Sequence, residues 1–347
     1  MENSDTLSFT PAFERALEFF RAQENYEASP LCALRGPNDI TVLAKDETGR
    51  MGLGAFKALG APYAVARILA QAWQRKTGEA LALDRLNNSD LRAFSAAHTF
   101  VCASAGNHGM GVAAGARAMG AKARIHLAKT VPESFAGRLR ELGAEVVRSG
   151  DVYDESVAAA IADAGESGAV LLADGTWEGY TEIPKWVMEG YCVIAEEMRA
   201  EFEASGNWPT HVYLQAGVGG LAAAMAYMIR HNWAEQPELI VVEPEAAACL
   251  QTSHKAGTPT RADGPDSSMG RLDCKEPSIV AWHALEKAGV SYVALSEAEG
   301  EAAARAVAEL GIETTPSGAA GYGALCKWAP DQGKAFRPLV IISEGAA

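Results

Sequence analysis

From Thr99 onward the apolar pattern of this chain switches repeatedly between a strand period and a helix period, and that alternation restricts the fold to an α/β architecture. Residues 100–103, 122–127, 144–148 and 169–173 read as short strands, and 107–119, 132–142 and 153–164 as the helices between them. Strands that alternate with helices predict a parallel sheet covered on both faces. The pattern resumes after a break at 174–184. Residues 184–204 predict a long helix with Pro184 near its start, where a missing N–H costs nothing. Strands at 212–215, 239–242 and 338–342 follow, with helices at 221–229, 278–288, 297–309 and 317–327. Two such runs predict two α/β domains with a cleft between them. Residues 77–97 and 257–270 read as polar or glycine-rich excursions.

Composition narrows the partners. The 347 residues carry a formal net charge of −14, which argues against nucleic acid or an anionic membrane surface as a partner. Any phosphate ligand must therefore be held by local geometry. No apolar run approaches ~20 residues, so no membrane-spanning helix is expected. Residues 1–6 are polar and acidic and do not read as a signal peptide. The six cysteines are spread singly, without zinc-ribbon spacing. Thiols in a reducing cytoplasm, and no metal site, are the expectation.

Four segments bear chemistry, most of them where a strand gives way to a loop or helix, the edge at which open α/β sheets bind ligands. Lys57 lies inside the apolar, glycine-rich run 52–60. It either snorkels to the surface or is a desolvated amine, paired or consumed in a covalent bond. Residues 104–109, Ser-Ala-Gly-Asn-His-Gly, form a tight turn and helix cap or an anion site suited to a substrate carboxylate. Gly217, Val218, Gly219, Gly220 and Leu221 lie between a strand and a helix. They allow close helix–sheet packing or wrap a phosphate without any basic residue. Ser343 ends the last apolar strand, as a turn former or as a hydroxyl facing a pyridine nitrogen.

Taken in order, Ala-Phe-Lys at 55–57, Ser-x-Gly-Asn-His at 104–108, the glycine loop at 217–221 and the strand-end Ser343 resemble the fold type II pyridoxal phosphate (PLP) enzymes, the family of threonine and serine dehydratases and the tryptophan synthase β subunit. The likeness runs from about Asp46 to Gly345. The stretch 174–184, Asp-Gly-Thr-Trp-Glu-Gly-Tyr-Thr-Glu-Ile-Pro, resembles the diaminopropionate ammonia-lyase branch, as do 54–60, 188–191 and 269–278. This resemblance implies two open, parallel-rich sheets flanked by helices, with the cofactor in the cleft. It implies a large PLP-binding domain from 1–62 and 182–347, a smaller mobile domain at 63–181, and a homodimer.

The resemblance also implies roles. Lys57 would carry the cofactor as a Schiff base and then take the Cα proton. Asn107 would face the ring hydroxyl, residues 217–221 the phosphate, and Ser343 the pyridine nitrogen. Ser104, Ala105, Gly106 and His108 would line the substrate carboxylate site. Asp174 would be the acid that assists the β-leaving group. The expected reaction is α,β-elimination from a small amino acid to an oxo acid and ammonia, with a β-hydroxy amino acid dehydratase, a β-replacement synthase or a racemase as alternatives. A dehydrogenase would need a Gly-x-Gly-x-x-Gly turn that 217–221 does not supply. A non-catalytic binding module gives no reason for Lys57 beside three matching loops. One position departs from the lyase pattern: the residue before Gly-Asn-His-Gly is Ala105 rather than an aspartate. Without a base on that face of the cofactor, a preference for L-amino acids is expected.

Overall fold

The fold comes from a computed structural model that describes residues 6–83, 89–104, 106–328 and 336–346. It contains the two sheets that the alternating pattern predicts. In chain order the elements are α1 (Phe13–Arg21), β1 (Leu31–Arg35), β2 (Thr41–Asp46), α2 (Gly60–Thr77), α3 (Ser89–Ser95), β3 (Thr99–Ala103), α4 (Asn107–Ala118), β4 (Lys122–Leu127), α5 (Glu133–Glu141), β5 (Glu145–Arg148), α6 (Tyr153–Ser167) and β6 (Val170–Leu171). The second run is α7 (Glu182–Ser205), β7 (His211–Gln215), α8 (Gly220–Asn232), β8 (Glu238–Pro244), α9 (Cys249–Ala256), α10 (Ile279–Ala288), β9 (Ser291–Leu295), α11 (Glu297–Glu309), α12 (Ala320–Lys327) and β10 (Pro338–Ile342).

The smaller sheet has strand order β5-β4-β3-β6 and is parallel throughout. The larger has order β1-β2-β10-β7-β8-β9, parallel except for the β1–β2 edge hairpin. Strands β7 and β10 are buried at every position, as expected of central parallel strands covered on both faces. Helix α7 is buried nearly all round from Trp186 to Ala195. It packs on α1, α2 and α8, while α2 also packs on α4, so these helices join the two layers.

Sequence-read boundaries hold best where local chemistry ends an element. The helix 297–309 matches to the residue because Ser296 and Glu299 form a reciprocal capping box. The helix read as 317–327 starts only at Ala320, because Gly318 O instead accepts from Gln215 Nε2 and from Ser343 N. The strand read as 169–173 shortens to Val170–Leu171. Strand β9, the hairpin β1–β2 and helices α1, α2 and α9 lie outside the segments expected from the apolar pattern. Among the described residues no helix is long and apolar enough to cross a membrane.

Topology decides where the loops converge. In the smaller sheet the chain leaves β3 toward β4 and β5, and returns on the other side as β6. The crevice beyond β3 and β6 is therefore a switch point, and it receives Ser104, residues 106–108 and Asp174. In the larger sheet β10 enters between β2 and β7. The C-terminal ends of these three neighbours carry the Lys57 segment, Ser343 and residues 217–221.

A buried ion network braces the segment that leads to Lys57. Arg50 pairs with Glu47 (Nε–Oε2 2.7 Å) and with Glu197 on α7 (Nη1–Oε1 2.8 Å), and Lys45 Nζ reaches Glu197 Oε2 at 2.6 Å. Two cations and two carboxylates balance, as burial of charge requires.

Candidate active site

Lys57 sits in a short 3₁₀ turn, Phe56–Ala58, immediately before α2. Phe56 N donates to Ser343 O at 3.1 Å, fastening this turn to the end of β10. The lysine does not snorkel. Its side chain is 19% exposed, and Nζ donates to Asp174 Oδ2 at 2.5 Å. Burial pulls the amine's pKa down, but the adjacent Asp174 carboxylate outweighs burial and holds it above the ordinary lysine value. Burial likewise pushes Asp174 up, and the Lys57 ammonium followed by His108 drives it net below the ordinary carboxylate range. The lowered carboxylate contributes stability above its unfolded pKa and loses it as pH falls. The raised amine contributes stability below its unfolded pKa and loses it as pH rises past the folded value. The pair is thus charged throughout the neutral range.

His108 is the third member of this group. Its Nε2 lies 2.8 Å from Leu172 O, which makes Nε2 the protonated nitrogen, and its Nδ1 lies 3.9 Å from Asp174 Oδ2 without a hydrogen-bond partner. Burial, opposed by Asp174, lowers its pKa, so the imidazole is neutral near pH 7. Asp174 itself is held by its neighbour Thr176, whose Oγ1 lies 2.7 Å from Ser278 Oγ and accepts from Val280 N at 2.9 Å. The strap fixes this acid to the start of α10.

The glycine loop joins β7 to α8, a helix of 13 residues whose first N–H groups have no side-chain cap. Gly219 has φ +103°, a left-handed conformation that glycine adopts without steric cost. Nearby, two buried polar atoms lack hydrogen-bond partners among the described residues: Tyr191 OH and His108 Nδ1. An uncapped helix start and orphaned polar atoms beside a buried amine fit a ligand with a phosphate at one end and polar, carbonyl-type chemistry at the other.

The structure brings Lys57, Asp174 and His108 into one cluster. Ser343 is buried beside the Lys57 turn. Ser104 Oγ accepts from Gly106 N at 3.2 Å, closing the turn before α4. Asn107 opens α4 and donates its amide to Glu344 Oε2. Among the described residues no hydrogen bond links Lys57 to Asn107, Ser343 or the glycine loop. Ala105 lies outside the described residues.

Two side chains here were not singled out from sequence. Glu344 is buried, and its Oε1 also accepts from Thr315 Oγ1 at 2.5 Å. Tyr191 is packed edge-on against Phe56, with ring centroids 4.9 Å apart, and lies close to Gly60 and Gly220. Its phenol is pushed up to about 12 by burial, against the pull of Lys57, and so stays a proton donor. Tyr191 ends the stretch 188–191 and Glu344 follows Ser343 directly, yet no spacing rule predicts their reach. Cavities of about 200 and 440 Å³ border residues 7–12, and neither is lined by any residue of this cluster.

Comparison with known proteins agrees with this geometry. The family model described as "Pyridoxal-phosphate dependent enzyme" matches residues 23–344. The diaminopropionate ammonia-lyase of Salmonella typhimurium is 38% identical over 277 residues, covering 77% of this chain and 68% of the relative. The crystal structure of the Escherichia coli diaminopropionate ammonia-lyase with D-serine superposes with a TM-score of 0.85 at 29% identity, over 98% of this chain and 92% of that one. The same enzyme with an aminoacrylate–PLP azomethine reaction intermediate gives 0.84 at 30% identity, over 99% and 91%.

Proposed function

The chain belongs to the pyridoxal-phosphate dependent enzyme family, and on that premise we propose that it is an ammonia-lyase that acts by α,β-elimination on a small 2-amino acid, with 2,3-diaminopropionate the first candidate. The observation that carries this reading is the buried Lys57–Asp174 pair at 2.5 Å beside an uncapped helix start. The reading includes the division into 1–62 with 182–347 and 63–181, a cytoplasmic location and a homodimer.

When bound, pyridoxal phosphate supplies the electron sink for a carbanion at Cα. The backbone N–H groups of 217–221 would hold its phosphate, Lys57 Nζ its aldehyde carbon, Ser343 its pyridine nitrogen and Asn107 its ring hydroxyl. The turn 104–108 binds the substrate carboxylate through N–H groups at the start of α4. Lys57, once freed as a neutral amine, takes the proton from Cα. Asp174 changes with it. When Lys57 no longer bears a charge, burial dominates and raises the carboxyl pKa, so Oδ2 can hold a proton and give it to the leaving group. His108 keeps its proton on Nε2 and can only accept at Nδ1, the nitrogen that faces Asp174.

An Asp174→Asn variant should lose ~10²–10⁴-fold in kcat, the usual range for a general acid or base. Its pH profile should shift to lower pH, because burial then acts on Lys57 unopposed by that carboxylate. An unchanged kcat would remove Asp174 from the mechanism.

The reading as a whole is tested by incubating holoenzyme with 2,3-diaminopropionate, serine, threonine and 3-hydroxyaspartate. An oxo acid should form together with ammonia. Absence of an oxo acid from all of them would reject elimination.

A further inference from the structure

A buried carboxylate with no assigned role in the chemistry stands one residue beyond Ser343. Glu344 is 4% exposed, and a carboxylate so placed needs partners for its charge. Its backbone is held from both sides. It forms an antiparallel bridge with Ala55, two positions before Lys57, and Gly345 N donates to Gly54 O at 2.9 Å. On the other side Glu344 O accepts from Thr314 Oγ1 at 2.5 Å. The side chain therefore leaves a fixed point. Its Oε1 accepts from Thr315 Oγ1 at 2.5 Å, and its Oε2 accepts from Asn107 Nδ2. Arg271 supplies the counter-charge, with Nε 3.7 Å from Oε2. Its guanidinium packs against Gly106, the residue before Asn107.

These contacts are unequal. The ion pair with Arg271 is longer than a hydrogen bond, and the Arg271 side chain is 31% exposed, so water also solvates this cation. The contact with Asn107 is the close one. An amide's two ends have the same shape and opposite hydrogen-bonding character, and a carboxylate paired with an arginine only accepts. Glu344 therefore holds the NH₂ end of Asn107 and fixes which way the amide faces. One N–H is used by the carboxylate, and the second is left on the same nitrogen. Among the described residues no other side chain hydrogen-bonds to this amide.

We propose that Glu344 is a positioning residue for the cofactor: it presents an N–H of Asn107, rather than the amide oxygen, to the ring hydroxyl of bound pyridoxal phosphate. This inference rests on the placement of Asn107 at that hydroxyl in the reading above. A donor there stabilises the ring oxygen in its ionised form, whereas an amide oxygen turned the same way repels it. The orientation of one amide thus sets how readily the ring oxygen gives up its proton. The residue that sets it lies 237 positions away along the chain.

The test compares holoenzyme with Glu344→Ala, Glu344→Gln, Asn107→Ala and the double variant Glu344→Ala with Asn107→Ala. The readouts are the visible absorbance of the bound cofactor as a function of pH and the dissociation constant for pyridoxal phosphate, with circular dichroism as the control for folding. Glu344→Ala should raise the pH midpoint of the absorbance change by about one unit and weaken cofactor binding about tenfold, the scale of one hydrogen bond to a charged group. Asn107→Ala should do the same, and the double variant should add nothing further, because the carboxylate acts through the amide. Glu344→Gln keeps the shape and one acceptor, and should shift the midpoint in the same direction by less. An unchanged midpoint in every folded Glu344 variant would overturn the assignment. So would shifts that add in the double variant, or an Asn107→Ala midpoint that does not move. These spectra are read without substrate. If no amino acid yields an oxo acid, elimination fails while the role of Glu344 is still decided.

Discussion

Replacing Lys57 with alanine should abolish covalent cofactor attachment and lower product formation by at least ~10³-fold, within the range for loss of a general base. The lysine's carbonyl is pressed against α4 at Gly111, and its amine donates to Asp174. Among the described residues no second lysine pairs with that carboxylate. The variant should still fold. Asp174, deprived of its cation, can take up a proton under the influence of burial, so no uncompensated charge need stay in the cleft. The check is borohydride reduction of the holoenzyme followed by peptide mapping. The added mass should map to Lys57 and be absent from Lys57→Ala. A label on any other lysine would contradict the assignment.

A Gly219→Val variant should lose the cofactor while retaining most of its helix content. At φ +103° a β-branched side chain is strained, and its Cβ would lie 3.1 Å from Leu250 Cδ1 and 3.2 Å from Ala281 Cβ. The backbone strain alone is worth about 1–2 kcal/mol. The loop can relieve it only by moving its backbone at the start of α8, and with it the N–H groups proposed to hold the phosphate. No basic side chain lies within 217–221 to compensate, so phosphate affinity depends on those groups. Absorbance of the bound cofactor after gel filtration, with circular dichroism as the control for folding, provides the measurement. Full occupancy in Gly219→Val would show that the phosphate is held elsewhere.

These expectations rest on two kinds of information. The sequence by itself determined the alternation of strands and helices, because the period of apolar residues and the caps are local properties. It marked the glycine loop between β7 and α8, and the small-residue turn before α4, because such turns need few-atom side chains whatever surrounds them. It placed Lys57 in an apolar run but left open whether the amine was buried. Tertiary structure decided that. Lys57 and Asp174 are 117 positions apart, and only the crossing of the two layers joins them. The same holds for Asn107 and Glu344, separated by 237 positions, and for the guanidinium of Arg271 against Gly106. The entry of β10 between β2 and β7 brings Ser343 and Glu344 to the site, and no local pattern announces that insertion. Pairing of charges depends on distance through space and on burial, neither of which is written in the spacing of residues along the chain.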